Sequence, residues 1–97
     1  MNQHLGTTIR QARESRQLLL RKAAAALDID AGLLSKIERN ERRATRNQVL
    51  RFADLYQLDA DALLVDWLSD RLLKELKGEK LARQVIKAVE TKITSQL

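Results

Sequence analysis

Three features of the chain predict an all-α fold. Apolar residues recur at spacings of three and four from Leu5 to Ile93, the period of a helix with one buried face. Among 97 residues there is no proline and only three glycines, Gly6, Gly32 and Gly78, so few positions interrupt a helical backbone. The stretch Leu20 to Arg39, LRKAAAALDIDAGLLSKIER, holds two short helical patterns separated by the tight joint Asp28-Ile29-Asp30.

Taken in order, helix 1 is expected from about Leu5 to Arg16, with Leu5, Ile9, Ala12 and Arg13 on its inner side. Helix 2 follows from Leu20, Ala23, Ala24 and Leu27, and helix 3 from Leu33, Leu34 and Ile37, with Asp30 placed to cap its free backbone N–H groups. Ala24 is small where two steeply crossed helices leave no room, and Ile29 plugs the joint from below. Asp28 opens the turn in a left-handed conformation that Asp tolerates better than most residues. Thr45 caps helix 4, Gln48 three residues later completes a capping box, and Val49, Leu50, Phe52, Ala53 and Tyr56 form the buried stripe. Asp59 caps helix 5 ahead of Ala62, Leu63 and Leu64.

About thirty residues remain. Leu64, Trp67, Leu68, Leu72 and Leu76 continue one stripe, and Leu81, Val85, Ile86, Val89 and Ile93 form a second beyond Gly78. Helix 5 is therefore expected to extend to about Lys77, with a sixth helix from about Glu79 to Thr94. The apolar face of this hairpin has to be buried, either back on its own domain or, as the number of large side chains favours, in a homodimer interface built from Leu64, Trp67, Leu68, Leu72, Val85 and Val89. The chain divides accordingly into a domain of residues 1–64 and a helical extension of residues 65–97.

The stretch from Leu20 to Arg39 matches a helix-turn-helix register throughout: small at Ala24, apolar at Leu27, Ile29, Leu34 and Ile37, polar at Ser35, Lys36 and Glu38. With LGTTIRQARESR before it, and SKIERNERRAT and NQVLRFADLYQLDADALL after it, the region from about Leu5 to Leu64 resembles the phage-repressor, Xre/Cro-like helix-turn-helix family. The resemblance implies a five-helix lambda-repressor-like DNA-binding domain. Asn40 stands where the family has a helix-terminating glycine, and Leu19 and Leu20 where it commonly has a capping Ser or Thr followed by Gln.

Charge follows the same division. Up to residue 46 there are ten basic and five acidic side chains, whereas from residue 47 onward there are eight of each, so the helix-turn-helix half carries the whole net charge of +5. Catalysis is not expected: there is no Gly-rich phosphate loop, no Cys nucleophile and only one histidine, His4. The same inventory predicts no metal site and no cofactor. No stretch has the length of a transmembrane span and the N-terminus lacks a signal-peptide layout, so a cytoplasmic protein without membrane contact is expected.

The resemblance places the N-terminal part of helix 3 at base edges, and Ala31, Gly32, Ser35 and Lys36 are the candidates. Lys36 suits guanine O6 or N7, and Ala31 suits a thymine methyl. Gly32 costs roughly 1 kcal/mol inside a helix, which suggests close approach of its backbone to DNA. Arg39, Arg42, Arg43 and Arg46 are expected to grip phosphates, as are Arg21 and Lys22 at the start of helix 2; Arg39 has Glu38 or Glu41 as alternative partners. Phe52, Tyr56 and Trp67 lie on apolar stripes and are assigned to packing. The implied function is sequence-specific double-stranded DNA binding by a transcriptional regulator, repressor or activator, acting as a dimer on an inverted repeat. The small size is similar to that of restriction-modification controllers. RNA polymerase is a possible contact, and the alternative is an antitoxin that binds a toxin and represses its own operon.

Overall fold

The computed structural model describes residues 4–97, and all regular structure in them is helical. The helices are α1 (Leu5–Ser15), α2 (Leu20–Leu27), α3 (Ala31–Glu38), α4 (Arg46–Tyr56), α5 (Ala60–Glu75) and α6 (Ala82–Gln96). The fold is the five-helix domain followed by a sixth helix.

The helix starts follow local chemistry. Leu33 N donates to Asp30 Oδ2 at 3.2 Å, and Ala62 N donates to Asp59 Oδ1 at 3.1 Å, so both aspartates cap as their positions predict. At α4 the capping box is closed in both directions, with Gln48 N donating to Thr45 Oγ1 at 3.2 Å and Thr45 N donating to Gln48 Oε1 at 2.9 Å.

The helix ends share one device. Gln17, Asp28, Asn40 and Gln57 all have φ between 54° and 60°. After each, the next residue's N–H reaches back five positions: Leu18 to Arg13 O, Ile29 to Ala24 O, Glu41 to Lys36 O and Leu58 to Ala53 O, at 2.9–3.2 Å. These are Schellman-type ends, and in three of them the returning residue, Leu18, Ile29 or Leu58, packs against the core. Asp28 and Asn40 fit the sequence reading, while Gln17 and Gln57 adopt the same strained conformation without the short side chain that eases it.

The core lies among α1 to α5. Ile9, Leu34, Ile37, Val49, Phe52 and Tyr56 are fully buried, and the Phe52 and Tyr56 rings stack with centroids 6.3 Å apart. Ala24 is buried at the α2–α3 crossing, as the register requires. Leu50, expected in the buried stripe of α4, is instead 40% exposed: with Val49 and Phe52 turned inward, the residue between them points outward at 100° per residue.

Two polar contacts fix α1 against α3. Arg13 and Glu38 form a paired ion bridge, Nε to Oε2 at 2.8 Å and Nη2 to Oε1 at 3.0 Å, with both side chains largely out of water; Arg13 Nη1 also donates to Leu18 O at 2.9 Å. The Glu38 hydrogen bond is the main reason the Arg13 pKa is raised. At the other end, Gly6 N donates to Asn40 Oδ1 at 2.9 Å, and a Cβ on Gly6 would collide with the Ile37 carbonyl. Gly6 therefore permits a helix-to-helix approach that no other residue allows.

The extension behaves differently. Helix α5 ends at Glu75 and α6 begins at Ala82, a wider gap than the expected break at Gly78 alone; Gly78 sits between them at φ +79°. Leu63 is the last fully buried residue of the chain. No residue of α6 is buried, so the hairpin does not fold back to enlarge its own core.

Candidate nucleic-acid interface

Helix α3 is held by one face and presents another. Leu34, Ile37 and Glu38 are buried, whereas Gly32 and Lys36 are exposed and Ala31 and Ser35 are half-buried at the edge of the same face. Because the inward residues recur at three and four, the residues between them emerge on one outer strip, and that strip carries the four positions assigned to base reading.

Gly32 acquires a structural reason. A Cβ there would lie 2.8 Å from Asp30 Oδ2, the oxygen that caps Leu33 N. The glycine leaves space for the cap, a local reason for it beside its place on the exposed strip.

Six cationic residues were assigned to phosphates. Arg21 and Lys22 are exposed in the first turn of α2, whose N-cap, Leu19, makes no side-chain hydrogen bond, so the amides there remain open to an anion. Arg42 and Arg46 are exposed on the loop and first turn after α3, and among the described residues they, Arg21, Lys22 and Lys36 enter no ion pair. Arg39 is the exception on its side, pairing with Glu41 at 2.9 Å and donating to Ser35 O at 3.3 Å. The Arg43 guanidinium carbon lies over the Trp67 ring, 4.2 Å from its centroid, and Arg43 donates to Trp67 O at 3.1 Å, while Trp67 Nε1 donates to Ala44 O at 2.8 Å. The loop carrying the arginines is thereby anchored to α5.

The basic residues of α1 and its C-cap are occupied elsewhere. Arg10 pairs with Glu14 at 2.7 Å, Arg13 with Glu38, and Arg16 donates to Ala12 O at 2.9 Å and to Tyr56 O. Glu38, expected among the polar positions of α3, is buried because Arg13 supplies its counter-charge. Sequence spacing held the signal: Arg13 follows Ile9 by four and Glu38 follows Leu34 by four, so each charge lies on an apolar stripe.

Of the six apolar residues expected at an interface, Leu64 and Trp67 are partly buried against the protomer's own core. Leu68, Leu72, Val85 and Val89 are exposed, together with Val65, Leu73, Ile86 and Ile93. Among the described residues no group of His, Cys, Asp and Glu side chains is arranged to hold a metal ion, and no helix is long and apolar enough to cross a membrane.

An outward-facing second helix of a helix-turn-helix, bordered by cations that no carboxylate neutralises, defines a DNA-binding module rather than an enzyme. Residues 4–66 match the family model described as a helix-turn-helix domain, and the chain belongs to that family. No curated protein matches the chain. Among solved structures it is similar to the clp gene regulator ClgR from Corynebacterium glutamicum, with 23% identity, a TM-score of 0.58, and coverage of 87% of this chain and 88% of that one. That similarity extends past the helix-turn-helix domain and concerns the fold.

Proposed function

We propose that this protein is a sequence-specific transcriptional regulator of the Xre/Cro-like kind, which binds an inverted-repeat operator as a homodimer. The observation that carries this reading is the exposed strip Ala31, Gly32, Ser35 and Lys36 on α3, bordered by the unpaired Arg21, Lys22, Arg42 and Arg46. The resemblance of the fold to a gene regulator agrees with it.

In this reading α3 enters the major groove by its N-terminal half. Lys36 donates to a guanine edge, Ser35 hydrogen-bonds a base or phosphate, and the Ala31 methyl meets a thymine methyl. Arg21 and Lys22 on one side, and Arg42 and Arg46 on the other, grip the phosphates flanking that groove. Arg43 and Arg39 act less directly, one clamping the loop to Trp67 and the other screened by Glu41. With only one long polar side chain at the groove, DNA shape contributes to specificity.

The exposed apolar stripes of α5 and α6 form the dimer contact. Two protomers related by a two-fold axis place their α3 helices about 34 Å apart, in successive major grooves.

The experiment is selection of bound sequences from random duplex DNA, followed by titration of the selected site against random DNA. An inverted repeat bound at least about 1,000-fold more tightly than random DNA is the expected result. Equal, strongly salt-dependent binding to both would reduce the reading to non-specific electrostatics. Sedimentation of the protein alone reads the dimer, and co-purification of a small second protein on α6 in place of a second copy would point to the antitoxin alternative.

A further inference from the structure

Beyond the helix-turn-helix, the structure gathers cations that are balanced by acids in the sequence but not in space. A groove runs between the loop after α3 and the second half of α5. Its charged lining is Arg42, Arg43, Arg71, Lys74 and Lys77, against the carboxylates Glu41 and Asp70. Both carboxylates are already engaged. Glu41 pairs with Arg39. Asp70 accepts from Leu5 N at 2.8 Å, where it caps α1, and lies 3.0 Å from His4 Nδ1.

Helix α5 is two-sided past Asp66. Trp67, Asp70, Arg71, Lys74 and, just beyond the helix, Lys77 line the groove together with the exposed Leu73, whereas Val65, Leu68 and Leu72 carry the exposed apolar stripe on another face. One face suits a protein partner and the other an anion. Burial lowers the Arg43 pKa below its ordinary value, nearby Arg71 adds to the effect and Asp70 opposes it. Crowding of cations is unfavourable alone and is relieved by a polyanion whose charges are spaced along a strand. The groove also runs on from Arg42, in the loop assigned to the phosphates of the half-site.

We propose that Arg71, Lys74 and Lys77 form a second phosphodiester-binding track, continuous with Arg42, that grips DNA outside the base pairs read by α3. The inference rests on the DNA-binding reading above and adds residues to it from a segment whose overall charge is balanced. The track reads no bases, so it contributes equally to operator and random DNA.

The test compares three proteins on a random-sequence duplex and on the selected operator, at salt concentrations from about 50 to 200 mM. They are the wild type, the variant Arg71→Gln/Lys74→Gln/Lys77→Gln, and the control Arg83→Gln/Lys87→Gln/Lys92→Gln, which removes the same charge from α6. All six side chains are exposed, and circular dichroism confirms that each variant is folded. The expected result is a slope of log K against log salt that falls by about one per groove side chain in each protomer, with an unchanged ratio of operator to random affinity. A slope equal to the wild type's, or a loss no larger than the control's, overturns the track. A wild type that binds no DNA overturns the DNA-binding reading itself, which separates the two failures.

Discussion

The two ends of helix α5 obey different rules. Up to Leu64 its side chains are chosen by the core: Leu63 is buried against α4, Asp59 caps, and the chain around it returns at each Schellman end into packed apolar contacts. From Leu68 onward the same helix period persists, yet Leu68, Leu72 and Leu73 stay exposed, and α6 continues the pattern with no buried residue. Amphipathic periodicity thus records that a face is to be buried and is silent on what buries it. Stability in the first region is a property of one chain; in the second it depends on what the extension meets.

The largest effect that would break this contrast lies in the core. Glu38→Ala leaves Arg13 buried and unpaired, and the expected cost is about 3–5 kcal/mol in thermal or urea unfolding. The double variant Arg13→Met/Glu38→Leu should recover most of that loss, since two apolar side chains replace two charges. A small penalty for Glu38→Ala would mean that water reaches Arg13 and that α1 and α3 are less tightly joined than their 2.8 Å contact indicates.

Next in size is the extension. Val85→Glu/Val89→Glu alters two exposed residues, so the unfolding free energy of the isolated protomer should change by no more than about 0.5 kcal/mol. Operator affinity should nevertheless fall by about 100-fold or more, because each half-site is then bound singly, and sedimentation should show monomers. If the variant unfolds like a core mutant, α6 is covered by its own protomer in solution and the contrast between the two regions fails.

Much of the first region was legible because its signals are local. Thr45 and Gln48 are three residues apart, as are Asp30 and Leu33 and Asp59 and Ala62, so sequence distance alone specifies the bond. What escaped the sequence is what depends on partners far along the chain. Apolar spacing marks Glu38 and Arg13 each as inward-facing but does not pair them across twenty-five positions. The Asp70 cap on Leu5 bridges a still longer separation, and the Arg43 contact with Trp67 a comparable one. Leu50 was misplaced because a stripe of five apolar residues is wider than the face α4 has to bury. The closeness of Gly32 to Asp30 Oδ2 was not legible either, because that atom is a neighbour only once the cap has formed.

A smaller test sharpens the account of the helix ends. Gln57 holds φ 55° with a side chain whose one hydrogen bond, from Nε2 to Asp54 O at 2.8 Å, is exposed to water, and Gln57→Gly should stabilise the protein by up to about 1 kcal/mol, the left-handed strain outweighing the added chain entropy and the lost exposed bond. A melting temperature higher by a few degrees is the readout. In α6, by contrast, Thr91→Gly should only weaken the helix, since no residue there requires the left-handed region.

The smallest effect at neutral pH belongs to Tyr56, and it tests how dry the core is. Its ring is fully buried against Phe52, but its hydroxyl has no hydrogen-bond partner, and burial, helped by the nearby Glu38 charge, pushes its pKa up to about 12. Tyr56→Phe keeps the stacked ring and removes only the unpartnered group, so stability near pH 7 should stay equal or rise by up to about 1 kcal/mol. The alkaline range separates the two proteins. In the unfolded chain the phenol ionises near its ordinary value of about 10, whereas the folded protein holds it neutral up to about 12. The share of stability linked to Tyr56 is therefore complete below pH 10 and is lost as the pH climbs from about 10 to 12. Tyr56→Phe should lose less stability than the wild type across that interval and none more below it. A loss above about 1 kcal/mol at pH 7 would show that the hydroxyl is bonded in solution, and parallel alkaline curves would show that water reaches it, either of which removes the sealed core on which the contrast with the extension depends.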